Sequence, residues 1–234
     1  MSPRRAVAGP AVLLAVAALL TGCGTRDAGR AAPSGTPSSS TPSSSTPSSS
    51  APPGRPAAGM ITAADLPGGG WVRRDDAART TGLAPVGVPC QPLLDVLGPG
   101  FGGGRATPRR VAFTKDGDEL RQDLVRTTRP RATDTLTQLD LALVQCSDFE
   151  SGSGAHAVQI HSERLRDAAR YGDDSIGYQV DIGQGASVTR YRLATVRQGG
   201  AVATVVDRYR AGADDTAFRA AVRAAARRLT SNGG

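Results

Sequence analysis

From residue 61 onward the apolar positions follow two rhythms, and the changes between them mark out the elements. Thr62-Ala63-Ala64-Asp65-Leu66 predicts a single capped turn, ended by Pro67 and three glycines, with Trp71 opening a strand. Residues 90–97 (CQPLLDVL) predict a short helix stopped by Gly98-Pro99. Residues 110–114 and 119–128 are β-rich and flank Lys115-Asp116-Gly117-Asp118, a hairpin signal. In the second arm Leu120, Gln122, Leu124 and Arg126 share one face, so the alternation is imperfect. Leu136, Leu139, Leu143 and Cys146 recur at helical spacing and predict a helix over 133–146. Strands are expected at 156–165, 176–182, 187–197 and 201–210, separated by Gly172-Asp173-Asp174-Ser175, Gly183-Gln184-Gly185 and Gln198-Gly199-Gly200. A last helix, capped by Asp214 and Asp215, turns Phe218, Ala221, Val222, Ala225 and Leu229 inward and Arg219, Arg223 and Arg227 outward. The expected fold is α+β: an antiparallel meander packed by helices over residues 59–234.

Upstream of residue 59 neither rhythm holds. Arg4 and Arg5 precede an apolar stretch over residues 6–20. That stretch is shorter than the roughly 20 residues a spanning helix needs, and it reads as a secretory signal peptide over residues 1–22. Leu20-Thr21-Gly22-Cys23 closes it and resembles the lipobox of bacterial lipoproteins. The resemblance implies cleavage between Gly22 and Cys23 and acylation of Cys23 with palmitate-type chains. Two or more chains hold a protein stably on a membrane, so the expected place is the outer, extracytoplasmic face of the cell membrane. The Arg4-Arg5 pair also suggests a twin-arginine signal, but Pro3 and Ala6-Val7 depart from that pattern, and the Sec route is the expectation. Residues 23–58 form a Ser/Pro/Thr linker in which Thr-Pro-Ser-Ser-Ser begins at Thr36, Thr41 and Thr46. Nothing in it can bury apolar area, so it is expected to be disordered and to act as a tether.

Export changes the reading of the cysteines. With Cys23 acylated, Cys90 and Cys146 remain as an even pair in an oxidising compartment, where a disulfide is the default and two buried thiols the alternative. Closing that loop of roughly 57 residues would stabilise the fold by about 4 kcal/mol. Neither these cysteines nor His156 and His161 have metal-ligand spacing, and no metal or cofactor is expected. In a strand the two histidines would face opposite ways, each exposed to solvent.

The formal charge of +7 shrinks once the five arginines before residue 59 and Asp27 are set aside, leaving 23 basic against 20 acidic residues. Such a balance does not predict a nucleic-acid partner. Abundant Ala, Gly and Arg with one Lys (Lys115) and one Asn (Asn232) suggest a high-GC actinobacterial source. Gly98-Pro99-Gly100-Phe101-Gly102-Gly103 matches G-x-G-x-x-G, but a helix precedes it where a dinucleotide site needs a strand. It reads as a loop. Asp173 and Asp174 beside Ser175 read as turn formers. No nucleophile elbow, zinc-protease helix or phosphate loop occurs, and no enzyme is expected.

Several short segments together resemble a group of actinobacterial extracytoplasmic domains that includes the sensor domains of PknH-type kinases and related lipoproteins. They are Asp65-Leu66-Pro67-Gly68-Gly69-Gly70-Trp71, Cys90-Gln91-Pro92-Leu93-Leu94, the helix ending at Cys146, Gly172-Asp173-Asp174-Ser175 and the terminal Ala/Arg helix. The resemblance implies an antiparallel sheet packed by helices and a cleft for an unidentified ligand. The kinase sensor domains carry two disulfides, whereas Cys90 and Cys146 allow one here. With no kinase sequence in the chain, signalling through a domain of its own is not expected. Two functions remain in view: a ligand-binding, sensor-like module for a small molecule or lipid, and a structural or partner-docking envelope lipoprotein with no small-molecule site. A monomer is expected.

Overall fold

A computed structural model describes residues 58–74, 83–87, 89–98, 108–165 and 170–231. The signal peptide, Gly22, Cys23, nearly all of the linker and residues 99–103 of the glycine motif lie outside these. Among the described residues no helix is long and apolar enough to cross a membrane.

The described strands are β1 (Val72–Arg74), β2 (Arg109–Lys115), β3 (Asp118–Arg126), β4 (Asp148–Ser151), β5 (Val158–Arg164), β6 (Asp174–Gln184), β7 (Ser187–Gln198) and β8 (Ala201–Tyr209). The helices are α1 (Gln91–Leu97), α2 (Arg129–Gln145) and α3 (Thr216–Thr230). All eight strands form one antiparallel sheet in the order β1-β2-β3-β8-β7-β6-β5-β4. Two meanders, β1–β3 and β4–β8, are thus sewn together where β3 pairs β8, with Asp123 opposite Thr204. The chain joins the meanders through α2, which carries it from the third strand of the sheet to the far edge.

Strand alternation divides the core into two layers. On β8, Val202 and Val206 point to one face while Ala201, Ala203 and Val205 point to the other. The first face packs against α1 and α2 through Leu93, Leu97, Leu136 and Leu139, with Tyr178 and Leu193 beneath them. The second packs against α3 through Phe218, Ala221, Val222, Ala225 and Leu229, as its spacing predicts. The disulfide between Cys90 and Cys146 joins the start of α1 to the end of α2, with the two Cα atoms 5.6 Å apart.

The β2–β3 hairpin turns on Asp116 (φ 52°) and Gly117 (φ 87°), both left-handed, as a primed turn requires. Asp173 explains the acidic pair in the next turn. It accepts from the Gly199 N–H (2.8 Å), Gln198 Nε2 (2.8 Å) and the Arg197 guanidinium (3.1 Å), so it clasps the β7–β8 turn. The Gly199 N–H holds the Asp173 carboxyl below its ordinary range, opposed by burial and helped by the Arg197 charge.

Three details differ from the sequence reading. α2 begins at Arg129, four residues before the expected start at Thr133, because Pro130 fits the first turn, where no N–H partner is lost. β4 pairs with β5 although its only large apolar residue is Phe149. His156 lies in a 3₁₀ turn (Gly154–His156), not in the strand, while His161 sits on β5 bonded to Asp148 at 2.8 Å. That bond raises the affinity of His161 for its proton. The two histidines do not meet, and each is exposed.

Candidate functional site

The segment before β1 is built around residues that only glycine can supply. Gly68, Gly69 and Gly70 have φ of 78°, 61° and 71°, three successive left-handed residues that a side chain would strain. They curl the chain back so that Trp71 Nε1 donates to the Pro67 carbonyl at 3.1 Å. Lys115 Nζ donates to the Gly68 carbonyl at 3.1 Å and holds the loop against the β2–β3 hairpin. Below, Asp65 accepts from the Thr62 N–H (2.7 Å) and hydroxyl (2.8 Å) and from the Arg228 guanidinium (2.7 Å), tying the 3₁₀ turn (Ala63–Asp65) to the end of α3. Gln122 is the imperfect position in β3, and it is wholly buried. Its amide receives the Ile61 N–H at 2.7 Å and donates to the Gly59 carbonyl at 3.0 Å, so it anchors the same segment.

Trp71 packs against the second core layer without being enclosed by it. It is half-buried and lines a pocket of about 420 Å³ between the sheet and the start of α3. The floor is the cross-strand pair Arg192 on β7 and Asp207 on β8, with Arg192 Nε 3.1 Å from Asp207 Oδ2. Both side chains are less than a tenth exposed. The Arg192 guanidinium also lies over the Tyr209 ring, 3.9 Å from its centroid. Asp116, Asp118, Asp214 and Thr216 complete the polar rim. Asp214 accepts the Thr216 N–H at 2.9 Å, so a carboxylate already complements the positive end of the α3 dipole.

Burial pushes the Asp207 carboxyl up to about 6; Arg192 opposes this, and Asp118 and Asp215 add to it. The folded state thus holds the Asp207 proton more tightly than the unfolded chain, and this carboxylate lowers stability as pH rises from about 4 to 6. The expected outcome is that the stability of Asp207→Asn, a neutral isostere, relative to the parent rises by up to about 3 kcal/mol between pH 4 and pH 7. Its absolute level also carries the lost charge opposite Arg192. Thermal melts at the two pH values check this, and a difference that does not change with pH refutes it.

A second cavity, about 960 Å³, lies between α2 and the β5–β6 turn, lined by Leu136, Asp140, Leu141, Tyr171, Asp174 and Ile176. Its rim is held by the Arg164–Asp140 and Arg197–Asp173 pairs. Among the described residues no buried charge lines it, so the pocket over Arg192 and Asp207 is the better candidate.

Asp207, Arg192 and Tyr209 escape sequence reasoning because each sits in an ordinary strand. The parity of β8 could have found one of them: Asp207 follows Ala203 and Val205 on the same inward face. The disulfide pair and the caps of α3 stand where the sequence places them. Asp214 supplies the bond to the helix N-terminus, whereas Asp215 pairs with Arg219. Among the described residues no cluster of His, Cys, Asp and Glu could hold a metal ion.

Compared by sequence, the chain matches no protein-family model and no curated protein. Compared by fold, it is similar to the extracellular domain of PknH from Mycobacterium tuberculosis, with a TM-score of 0.50 at 12% identity, over 75% of this chain and 94% of that one. The likeness shows a shared α+β fold, a single antiparallel sheet packed by helices.

Proposed function

We propose that this chain is an extracytoplasmic lipoprotein, anchored through acylated Cys23, whose folded domain binds a small molecule as a sensor-like module. One observation carries the binding reading: a nearly buried Arg192–Asp207 pair forms the floor of an open pocket whose wall includes a half-buried tryptophan. Charged pairs are costly to desolvate, and perturbed carboxylates gather at functional sites. The fold shared with the extracellular domain of PknH supports the placement outside the membrane, as does the lipobox-like Leu20-Thr21-Gly22-Cys23.

The docking alternative has one observation in its favour: Leu141 and Val144 lie exposed on the outer side of α2. Native mass spectrometry of the full chain, extracted in detergent from its own cells, separates the two. The expected result is a covalent acyl mass on Cys23 together with a non-covalent small molecule that Asp207→Asn loses. A parent protein that is empty in every preparation overturns ligand binding and leaves the docking reading.

A further inference from the structure

Resting on the reading that this pocket binds a small molecule, we infer that its ligand is a saccharide ring, neutral or carrying an ammonium group, stacked on Trp71 with its hydroxyls directed to Arg192 and Asp207. The indole is the first reason. A left-handed triple-glycine loop, an Nε1 bond to Pro67 and a Lys115 bond to Gly68 all fix one partly exposed tryptophan at a pocket wall. An indole that served packing alone would gain nothing from being held half in solvent. An aromatic face takes an apolar ring face, and the hydroxylated edge of a sugar needs planar donors and acceptors beside it. Arg192 and Asp207 supply both, as a guanidinium and a carboxylate already fixed to one another at 3.1 Å.

Charge is the second reason. Lys115 and Arg192 are the cations of the lining, and both are engaged, one by Gly68 and one by Asp207. Four carboxylates, Asp116, Asp118, Asp207 and Asp214, share the same walls. The N-terminus of α3, elsewhere a ready anion site, is occupied by Asp214. An anionic ligand would meet four carboxylates against two cations, one of them already paired with Asp207, whereas a neutral or aminated sugar would meet no net repulsion. The volume, about 420 Å³, lies within the range of small-molecule sites, about 300–1,000 Å³.

Trp71 is the only tryptophan in the chain, so its emission reports on this pocket alone. The detergent-solubilised full chain is titrated with glucosamine, N-acetylglucosamine and glucuronate. The expected result is a saturable change in emission, with glucosamine binding at least as tightly as N-acetylglucosamine and glucuronate at least tenfold more weakly. Asp207→Asn, whose folding the thermal melts above verify, should weaken binding at least tenfold. Trp71→Phe, followed by calorimetry, should weaken it at least fivefold. Glucuronate binding as well as glucosamine, or sugar binding unchanged in Asp207→Asn, overturns the inference. So does silence toward all three sugars when an extract of the host envelope moves Trp71 emission in an Asp207-dependent way, and that result keeps the pocket as a binding site. Silence toward both sugars and extract overturns the inference and the binding reading together.

Discussion

Replacing Asp123 with alanine is expected to lower the unfolding free energy by about 3–5 kcal/mol, among the largest effects of any single substitution here. Asp123 is wholly buried on β3, facing α1. One of its oxygens holds Arg110 Nε at 2.5 Å and the other holds Arg121 Nε at 2.9 Å. Arg121 is only 3% exposed, and its second amino group donates to the carbonyls of Val96 (3.0 Å) and Leu97 (3.1 Å) at the end of α1. Burial depresses the proton affinity of Arg121, and Asp123 is the main group opposing that effect. Truncating the carboxylate leaves a desolvated guanidinium without its main counter-charge. Against a total stability of about 5–15 kcal/mol, this brings the domain near its unfolding threshold. Urea unfolding measures the loss. Replacing Arg121 and Asp123 together by Met and Leu should restore most of it, because the penalty lies in the uncompensated charge and not in the absence of the pair. An Asp123→Ala protein within 1 kcal/mol of the parent would show that water reaches Arg121 after all, or that Glu119 supplies the missing charge.

This cluster also marks where sequence reasoning stops. Alternation rules assume one buried face per strand, yet β7 and β8 are buried on both; β6, β7 and β8 were legible because glycine announces their turns. β3 is covered on both faces, by α3 on one side and α1 on the other. Leu120 and Leu124 look regular, while Arg121, Gln122 and Asp123 look like solvent-facing residues, yet all three are buried. Each is there because a partner distant in sequence completes it: the α1 carbonyls for Arg121, the backbone of residues 59–61 for Gln122, two arginines for Asp123. No local signal reports such partners. The pairing of β3 with β8 was illegible for the same reason, since it joins two meanders across the whole of α2. The Asp116-Gly117 hairpin, the short Cys90 helix and the inward face of α3 were legible because their causes are local: turn chemistry, capping and helical spacing. The pocket falls between these cases. Its glycine loop and tryptophan are conspicuous in the chain, but the Arg192–Asp207 floor needs the β7–β8 register.

Removing the Cys90–Cys146 bridge, by reduction or by Cys90→Ser with Cys146→Ser, is expected to cost about 4 kcal/mol, since the bridge closes a loop with a sequence separation of 56. The loss should begin at α1. A helix of seven residues does not form by itself, and α1 is held at its two ends by different devices. The disulfide fixes its N-cap to the end of α2, and Arg121 fixes its last carbonyls to the sheet. Between them Leu93 and Leu97 are fully buried, so α1 cannot lift without opening the core layer beneath it. Hydrogen exchange should therefore show the amides of residues 93–98 losing protection in the reduced protein before those of β7 and β8. Because both devices act on the same helix, their effects should not add. Once the bridge is gone and α1 opens more readily, Asp123→Ala has less docked structure left to disturb. The combined loss should fall short of the sum by at least 1 kcal/mol, beyond the few tenths expected of independent sites. Strict additivity would mean that α1 is retained by its leucines alone, with the bridge acting only on the unfolded chain.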